Sequence, residues 1–327
     1  MRNCWSPSAP GGSYPGAGRP RRTRRSTWTA SAAGCRTGSA RHLHLDDQER
    51  AMPPECIRRL LHGVACTALI AVTATAAAYD GPLFDAHLHY NAPHVDALSP
   101  GRVGASLQEA GVERAVIISR DRDLVQTAMS AAPGVILPFL DVYRTPAQKA
   151  SWMHEKDLPD WVRERLDEGL ATGAWRGIGE LHLFAADRHS AVFAELVSIG
   201  HERGLPVMIH GDPAVIDRAY EIEPDAVILW AHAGTFPYPP LLADYLSRYP
   251  RLHVDLSMRS ERLIADGFMP LEWQDLLIAH ADRFLIGADT FSARRWSELD
   301  QHVSDIRTWL DQLPPDVADR IAYGNAR

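Results

Sequence analysis

No cysteine follows residue 66: the four in this 327-residue chain are Cys4, Cys35, Cys56 and Cys66. Whatever folds beyond them carries no disulfide and no thiolate, so a metal site there has only histidine and carboxylate to draw on. Lysine is nearly absent as well, at Lys149 and Lys156 alone. No apolar run approaches the roughly 20 residues of a comfortable membrane span. Basic charge is scarce too: taking the 11 arginines and 4 acidic residues of residues 1–78 from totals of 34 and 41 leaves 23 basic against 37 acidic, a net of −14. Such a body repels nucleic acid and anionic membranes and is suited to a small-molecule substrate. Its oligomeric state is not written in the pattern. What is present, 46% hydrophobic residues, suffices for a large buried core.

Residues 1–51 differ from the rest. They are rich in Arg, Gly, Ser, Pro and Ala, as in "GGSYPGAGRPRRTRRSTWTASAAG", a composition that cannot bury enough apolar surface to fold. They read as a disordered basic arm or as sequence translated upstream of the true start. From Met52 the chain runs "MPPECIRRLLHGVACTALIAVTATAAAYD", with Arg58 and Arg59 before an apolar stretch and ATAAA before Tyr79. That is the layout of a secretory signal peptide over residues 52–78 with an A-x-A cleavage site. It favours Met52 as the start and predicts a periplasmic or secreted domain over 79–327. An uncleaved anchor is the alternative; lipid attachment at Cys66 lacks the expected leucine.

Beyond Tyr79, eight short apolar runs alternate with amphipathic stretches: "LFDAHLH" (83–89), "RAVIIS" (114–119), "GVILPFLDV" (134–142), "RGIGELHLF" (176–184), "PVMIHG" (206–211), "AVILWAHAG" (226–234), "LHVDLS" (252–257) and "RFLIGAD" (283–289). Segments such as "PDWVRERLDEGLATG", "RHSAVFAELVSIGHERG" and "LEWQDLLIAHAD" between them have helical spacing. Buried parallel strands read as near-continuous apolar runs, and strand–helix alternation implies crossover units. Eight units predict an α/β fold, a single-domain (β/α)₈ TIM barrel, with a doubly wound open sheet as the alternative.

In "PLFDAHLHYN", strand alternation places His87 and His89 on one face and Ala86 and Leu88 on the other. Alone, that pair is a weak signal. It gains weight from company: ionisable residues end other runs, at Glu180 and His182, His210, His232 and Asp289, where a barrel keeps its active site. A single such histidine is often a satisfied core residue. That is the preferred reading for His182, otherwise a substrate contact, and for His94 and His154. Nitrogen and carboxylate donors without thiolate suit Zn²⁺, and also Mn²⁺ or Fe²⁺. Glu180 bears on the number of ions. It bridges a pair, orients a water at one ion, or hydrogen-bonds a ligating histidine.

HxH on strand one, an acid on four, His on five and six and Asp on eight, in the wording "FDAHLHY", "GIGELHLF", "PVMIHGD", "ILWAHAG" and "FLIGADT", resembles the amidohydrolase superfamily, specifically its amidohydrolase-related branch. The resemblance runs from about Leu83 to "YGNAR" at the end of the chain. It implies His87, His89, His210 and Asp289 as metal ligands and His232 as a ligand or catalytic electrophile. Some branches bridge two ions with a carboxylated strand-four lysine; neither lysine here lies on that strand, which leaves Glu180 as the bridge, similar to the TatD-like deoxyribonucleases.

The expected activity is hydrolysis of a small-molecule C–O or C–N bond, in a lactone, ester or amide, by a metal-activated water with Asp289 as proton shuttle. The alternative is non-oxidative decarboxylation of an unsaturated or aromatic acid, which needs a cation for the carboxylate. Arg120, Arg144 and Arg259 follow strands two, three and seven and are the candidates, each equally readable as a loop arginine. A TatD-like nuclease conflicts with the acidic body, and an inactive metal-binding barrel would not need so full a set. Trp152, Trp161, Phe236 and Tyr238, in the loops, line the pocket or pack on the barrel rim.

Overall fold

A computed structural model describes residues 78–171 and 173–327. The basic segment and all but the last residue of the signal-like segment lie outside the described residues. Eight strands, β1 (Leu83–His89), β2 (Val112–Ser119), β3 (Ile136–Leu140), β4 (Gly177–Leu183), β5 (Val207–Gly211), β6 (Ile228–Trp230), β7 (Leu252–Asp255) and β8 (Phe284–Leu285), form one sheet in sequence order. Every neighbouring pair is parallel. Ala86 N–H donates to the Ile286 carbonyl (2.9 Å) and Asp289 N–H to the His87 carbonyl (2.7 Å), so the run containing β8 returns to β1 and closes a barrel.

The helices are α1 (Val103–Glu109), α2 (Arg122–Ala131), α3 (Asp160–Glu168), α4 (Ala191–Glu202), α5 (Pro213–Ile222), α6 (Pro239–Arg248), α7 (Ser260–Leu263), α8 (Leu271–Ala279), α9 (Ala293–Ser297), α10 (Leu299–Leu310) and α11 (Pro315–Ala322). Their starts follow local chemistry: Asp121 accepts from Leu124 N–H ahead of α2 and Ser190 from Phe193 N–H ahead of α4, while Pro213 opens α5. The three helical segments expected from spacing correspond to α3, α4 and α8.

Two apolar layers hold the barrel. The larger lies between strands and helices and contains Leu88, Ile117, Leu181, Ile209 and Trp230. The smaller contains Phe84, Ala86, Val116, Phe139, Met208 and Leu229. Apolar side chains from alternate positions thus plug one half of the interior, and the polar residues are left to the end where the strands run out.

Simple alternation fails at two places that bear on the site, besides a slip at Leu83/Phe84. Asp85 pairs with Ala115 but Leu88 with Ile117, so β1 carries one extra residue. Ala86 therefore joins Phe84 in the inner layer rather than taking the same face as Leu88, a correction to the expectation from strict alternation. β4 slips likewise, with Ile178 opposite Val207 and Leu181 opposite Ile209. At that slip Gly179 has φ +114°, and a Cβ there would meet the Met208 carbonyl oxygen at 2.4 Å. Gly179→Ala is expected to lower stability by roughly 3 kcal/mol, read as a fall in Tm and as misplacement of the adjacent Glu180.

Candidate metal centre

His87 and His89 end β1, Glu180 and His182 lie on β4, and His210 lies on β5. His232 and Asp289 differ from the expectation of strand ends. They follow the last residues of β6 and β8, with φ of 59° and 51°. That left-handed backbone costs a non-glycine residue about 1–3 kcal/mol and persists only where neighbours hold it. Here two arginines do so. Arg259 Nε donates to the His232 carbonyl (2.6 Å) and Arg295 Nε to that of Asp289 (2.7 Å).

His87 Nε2 and His89 Nε2 lie 3.2 Å apart, and Asp289 Oδ1 lies 3.7 Å and 3.5 Å from them. Ligands about 2.0–2.1 Å from a tetrahedral ion stand roughly 3.4 Å from one another. Asp289 Oδ1 is buried and has no hydrogen-bond partner, a costly state for a carboxylate oxygen unless a cation answers it. The three residues therefore fit a divalent ion of the zinc class, as do the two other groups, His87 with Glu180 and His232, and Glu180 with His182 and His210.

Glu180 is the hub. Its oxygens lie 2.7 Å from His182 Nε2, 2.8 Å from His210 Nδ1, 3.1 Å from His232 Nε2, 3.4 Å from His89 Nε2 and 3.7 Å from His87 Nε2. Burial works to raise its carboxyl, but His87 and the bonds from His182 and His210 hold it well below the usual range. Burial likewise works to lower the His87 imidazole, yet Asp255, Asp289 and Glu180 outweigh it and push it up to about 10. The cluster is a trap for positive charge. His182 stacks on His210, ring centres 4.3 Å apart, so it belongs to the cluster.

Below lie two residues that motif reading passed over. Asp255 Oδ2 is 3.1 Å from His87 Nδ1, and Ser257 Oγ is 2.7 Å from His232 Nδ1. Both are fully buried. Their signal was present in "LHVDLS", an ionisable residue near the end of an apolar run like the others.

A cavity of about 530 Å³ opens above the cluster, lined among others by Arg120, Lys149, Met258, Arg259 and Phe291. The candidate arginines part company here. Arg120 faces the cavity, and so does Arg259, though it is occupied with backbone carbonyls at His232 and Gly234. Arg144 lies over the Trp161 ring, 4.8 Å from its centre, and is not part of the lining. Of the loop aromatics, Trp152 is buried in the outer core, Trp161 packs against it, and Phe236 and Tyr238 stand in solvent. None of the four lines the cavity; Tyr143 and Phe291 do.

Beside Arg120, at 3.7 Å, Asp141 is wholly buried, and burial pushes its carboxyl up to about 7 against the pull of that arginine. A raised carboxyl keeps its proton longer in the folded chain, so its cost is absent at pH 4, grows as pH rises to 7 and is constant above. Asp141→Asn is expected to stabilise the protein at pH 8 by up to about 4 kcal/mol and hardly at pH 4. Urea unfolding at the two pH values measures the difference.

No family model matches the chain. No curated protein matches it. Solved structures do: a TatD homolog from Escherichia coli K12 is 12% identical with a TM-score of 0.51, covering 75% of this chain and 96% of that one. An amidohydrolase from Burkholderia multivorans with bound zinc is 14% identical with a TM-score of 0.47, over 75% and 98%. Amidohydrolase 2 from Bifidobacterium longum subsp. infantis is 14% identical with a TM-score of 0.41, over 75% and 97%. At such identities the likeness is one of architecture: this chain shares with the TatD homolog its fold, a (β/α)₈ barrel.

Proposed function

We propose that the chain is a metal-dependent hydrolase of the amidohydrolase superfamily, amidohydrolase-related branch, acting on a C–O or C–N bond of a small lactone, ester or amide. The observation that carries this reading is Asp289 Oδ1, buried without a partner and 3.5–3.7 Å from two imidazole nitrogens. Zinc suits the donors best, with Mn²⁺ and Fe²⁺ accepted by the same set. His87, His89 and Asp289 would hold one ion, and Glu180, His210 and His232 a second, with Glu180 shared.

A divalent ion so held supplies Lewis acidity, bringing the pKa of a water from about 15.7 towards 7 and polarising the scissile bond. Asp289 lines the cavity, with Oδ2 3.9 Å from His232 Nε2. It takes the proton of the attacking water and returns it to the leaving group. Met258 and Phe291 give the cavity an apolar side against which the body of a substrate can lie. The signal-like segment 52–78 supports action outside the cytoplasm.

A second reading, non-oxidative decarboxylation, draws on Arg120 and Lys149, which line the same cavity and can hold a carboxylate. Elemental analysis of the full chain from metal-replete culture is expected to give about two divalent ions per chain. Lactones, esters and amides are then assayed for hydrolysis and unsaturated acids for CO₂ release. A chain that takes up no divalent metal after reconstitution is not an enzyme of either kind.

A further inference from the structure

We infer that Asp255 and Ser257 fix the imidazole tautomers of two site histidines on different strands, His87 and His232, so that one buried carboxylate aims both rings. The consequence for metal binding rests on the proposed function; the tautomers do not. The argument is a count of protons. A carboxylate only accepts, a serine hydroxyl has one proton to give, and a neutral imidazole carries one N–H.

Asp255 Oδ1 accepts Ser257 N–H at 2.9 Å and makes a short bond with Ser257 Oγ. The serine's single proton is thereby committed to Asp255, and its oxygen can only accept from elsewhere. His232 Nδ1 stands 2.7 Å from that oxygen and 3.3 Å from the Ser257 carbonyl, a second acceptor. Nδ1 of His232 must therefore carry the proton. His87 Nδ1 faces Asp255 Oδ2 at 3.1 Å and Ser257 Oγ at 3.3 Å, both acceptors, and donates too. In both rings Nδ1 holds a proton that its neighbours cannot take, so Nε2 is the nitrogen left to coordinate a cation in the cluster, any proton on it being the one displaced.

For His232 this decides between two roles. Its Nε2 lies 3.1 Å from Glu180 Oε1 and 3.9 Å from Asp289 Oδ2. Nε2 thus faces carboxylate oxygens across a gap that a proton or a cation fills, and with an ion seated there the proton on Nδ1 makes His232 a ligand through Nε2. Asp255 and Ser257 touch no substrate; they are positioning residues. Gly287 leaves the room they need, since a Cβ there would meet His87 Cβ at 2.9 Å and Ser257 Cβ at 3.0 Å.

The test uses the full chain with ¹⁵N-labelled histidine. Long-range ¹H–¹⁵N spectra report which ring nitrogen is protonated, and competition with a chromophoric chelator reports Zn²⁺ affinity. Ser257→Ala is expected to mix the His232 tautomers, leave His87 unchanged and weaken Zn²⁺ binding by roughly 10- to 100-fold; Ser257→Thr restores both readouts. Asp255→Asn is expected to disturb both rings. Ser257→Ala with an unaltered His232 Nδ1–H signal and Zn²⁺ affinity within twofold of wild type overturns the inference, and this holds even if Asp255→Asn does not fold. If the wild-type chain binds no Zn²⁺, the proposed function fails while the spectra still decide whether Nδ1 of each ring is protonated.

Discussion

Asparagine at Asp289 is expected to cut hydrolysis by roughly 10³- to 10⁴-fold with the barrel intact. The substitution keeps shape and removes charge. Asp289 Oδ1 lies 3.7 Å and 3.5 Å from Nε2 of the two β1 histidines, so its loss would take an anionic ligand from an ion held there and the acceptor from the water's proton. The fold does not depend on that charge. The backbone at Asp289 is held by its N–H to the His87 carbonyl and by Arg295 on its own carbonyl, neither of which involves the side chain. Circular dichroism and Tm should match wild type while kcat on whichever ester or lactone the wild type turns over collapses. Activity retained within tenfold removes Asp289 as the proton shuttle.

Alanine at Glu180 is expected to change the protein more broadly, with metal content falling from about two ions per chain towards one and hydrolysis falling with it. Five imidazoles lie within 3.7 Å of this carboxylate. Among the described residues it is the member shared by the His182–His210 group and the His87–His232 group. Removing one partner of a buried charge pair leaves the other uncompensated, at a cost of roughly 3–5 kcal/mol, so the metal-free variant should also melt lower. Glu180→Gln separates the effects by keeping volume and hydrogen bonding while removing the bridge's charge. One ion per chain in both wild type and Glu180→Ala excludes bridging and makes decarboxylation the equal of hydrolysis.

The eight apolar runs became the eight strands because burial on both faces leaves little choice of residue, and composition alone carries that information. The polar residues at the ends of those runs were visible for the same reason: an ionisable group there stands out against its neighbours. What stayed hidden depends on more than one strand at a time. The slips at Ala86 and Gly179 arise from how β1 and β4 fit against β2 and β5, and no single run records its neighbour's register. His232 and Asp289 lie beyond their strands because arginines from later segments hold a left-handed backbone. Arg259's own stretch of sequence carries no sign of the carbonyls at His232 and Gly234 that occupy it, and so leaves it both a substrate cation and a loop arginine. Asp255 and Ser257 act on rings from strands one and six, a relation that exists only once the barrel is closed.

That closure has a temporal side. Two of the candidate ligands sit on the first of the described strands to leave the ribosome, and a third, Asp289, follows the last. The main-chain bond between Asp289 and His87 fastens the two ends of the sheet together. Until residue 289 arrives, the group formed by His87 and His89 lacks its carboxylate. On the proposed function, acquisition of an ion by this group would be deferred to the final moments of folding, and the cation would act as a rivet through the seam.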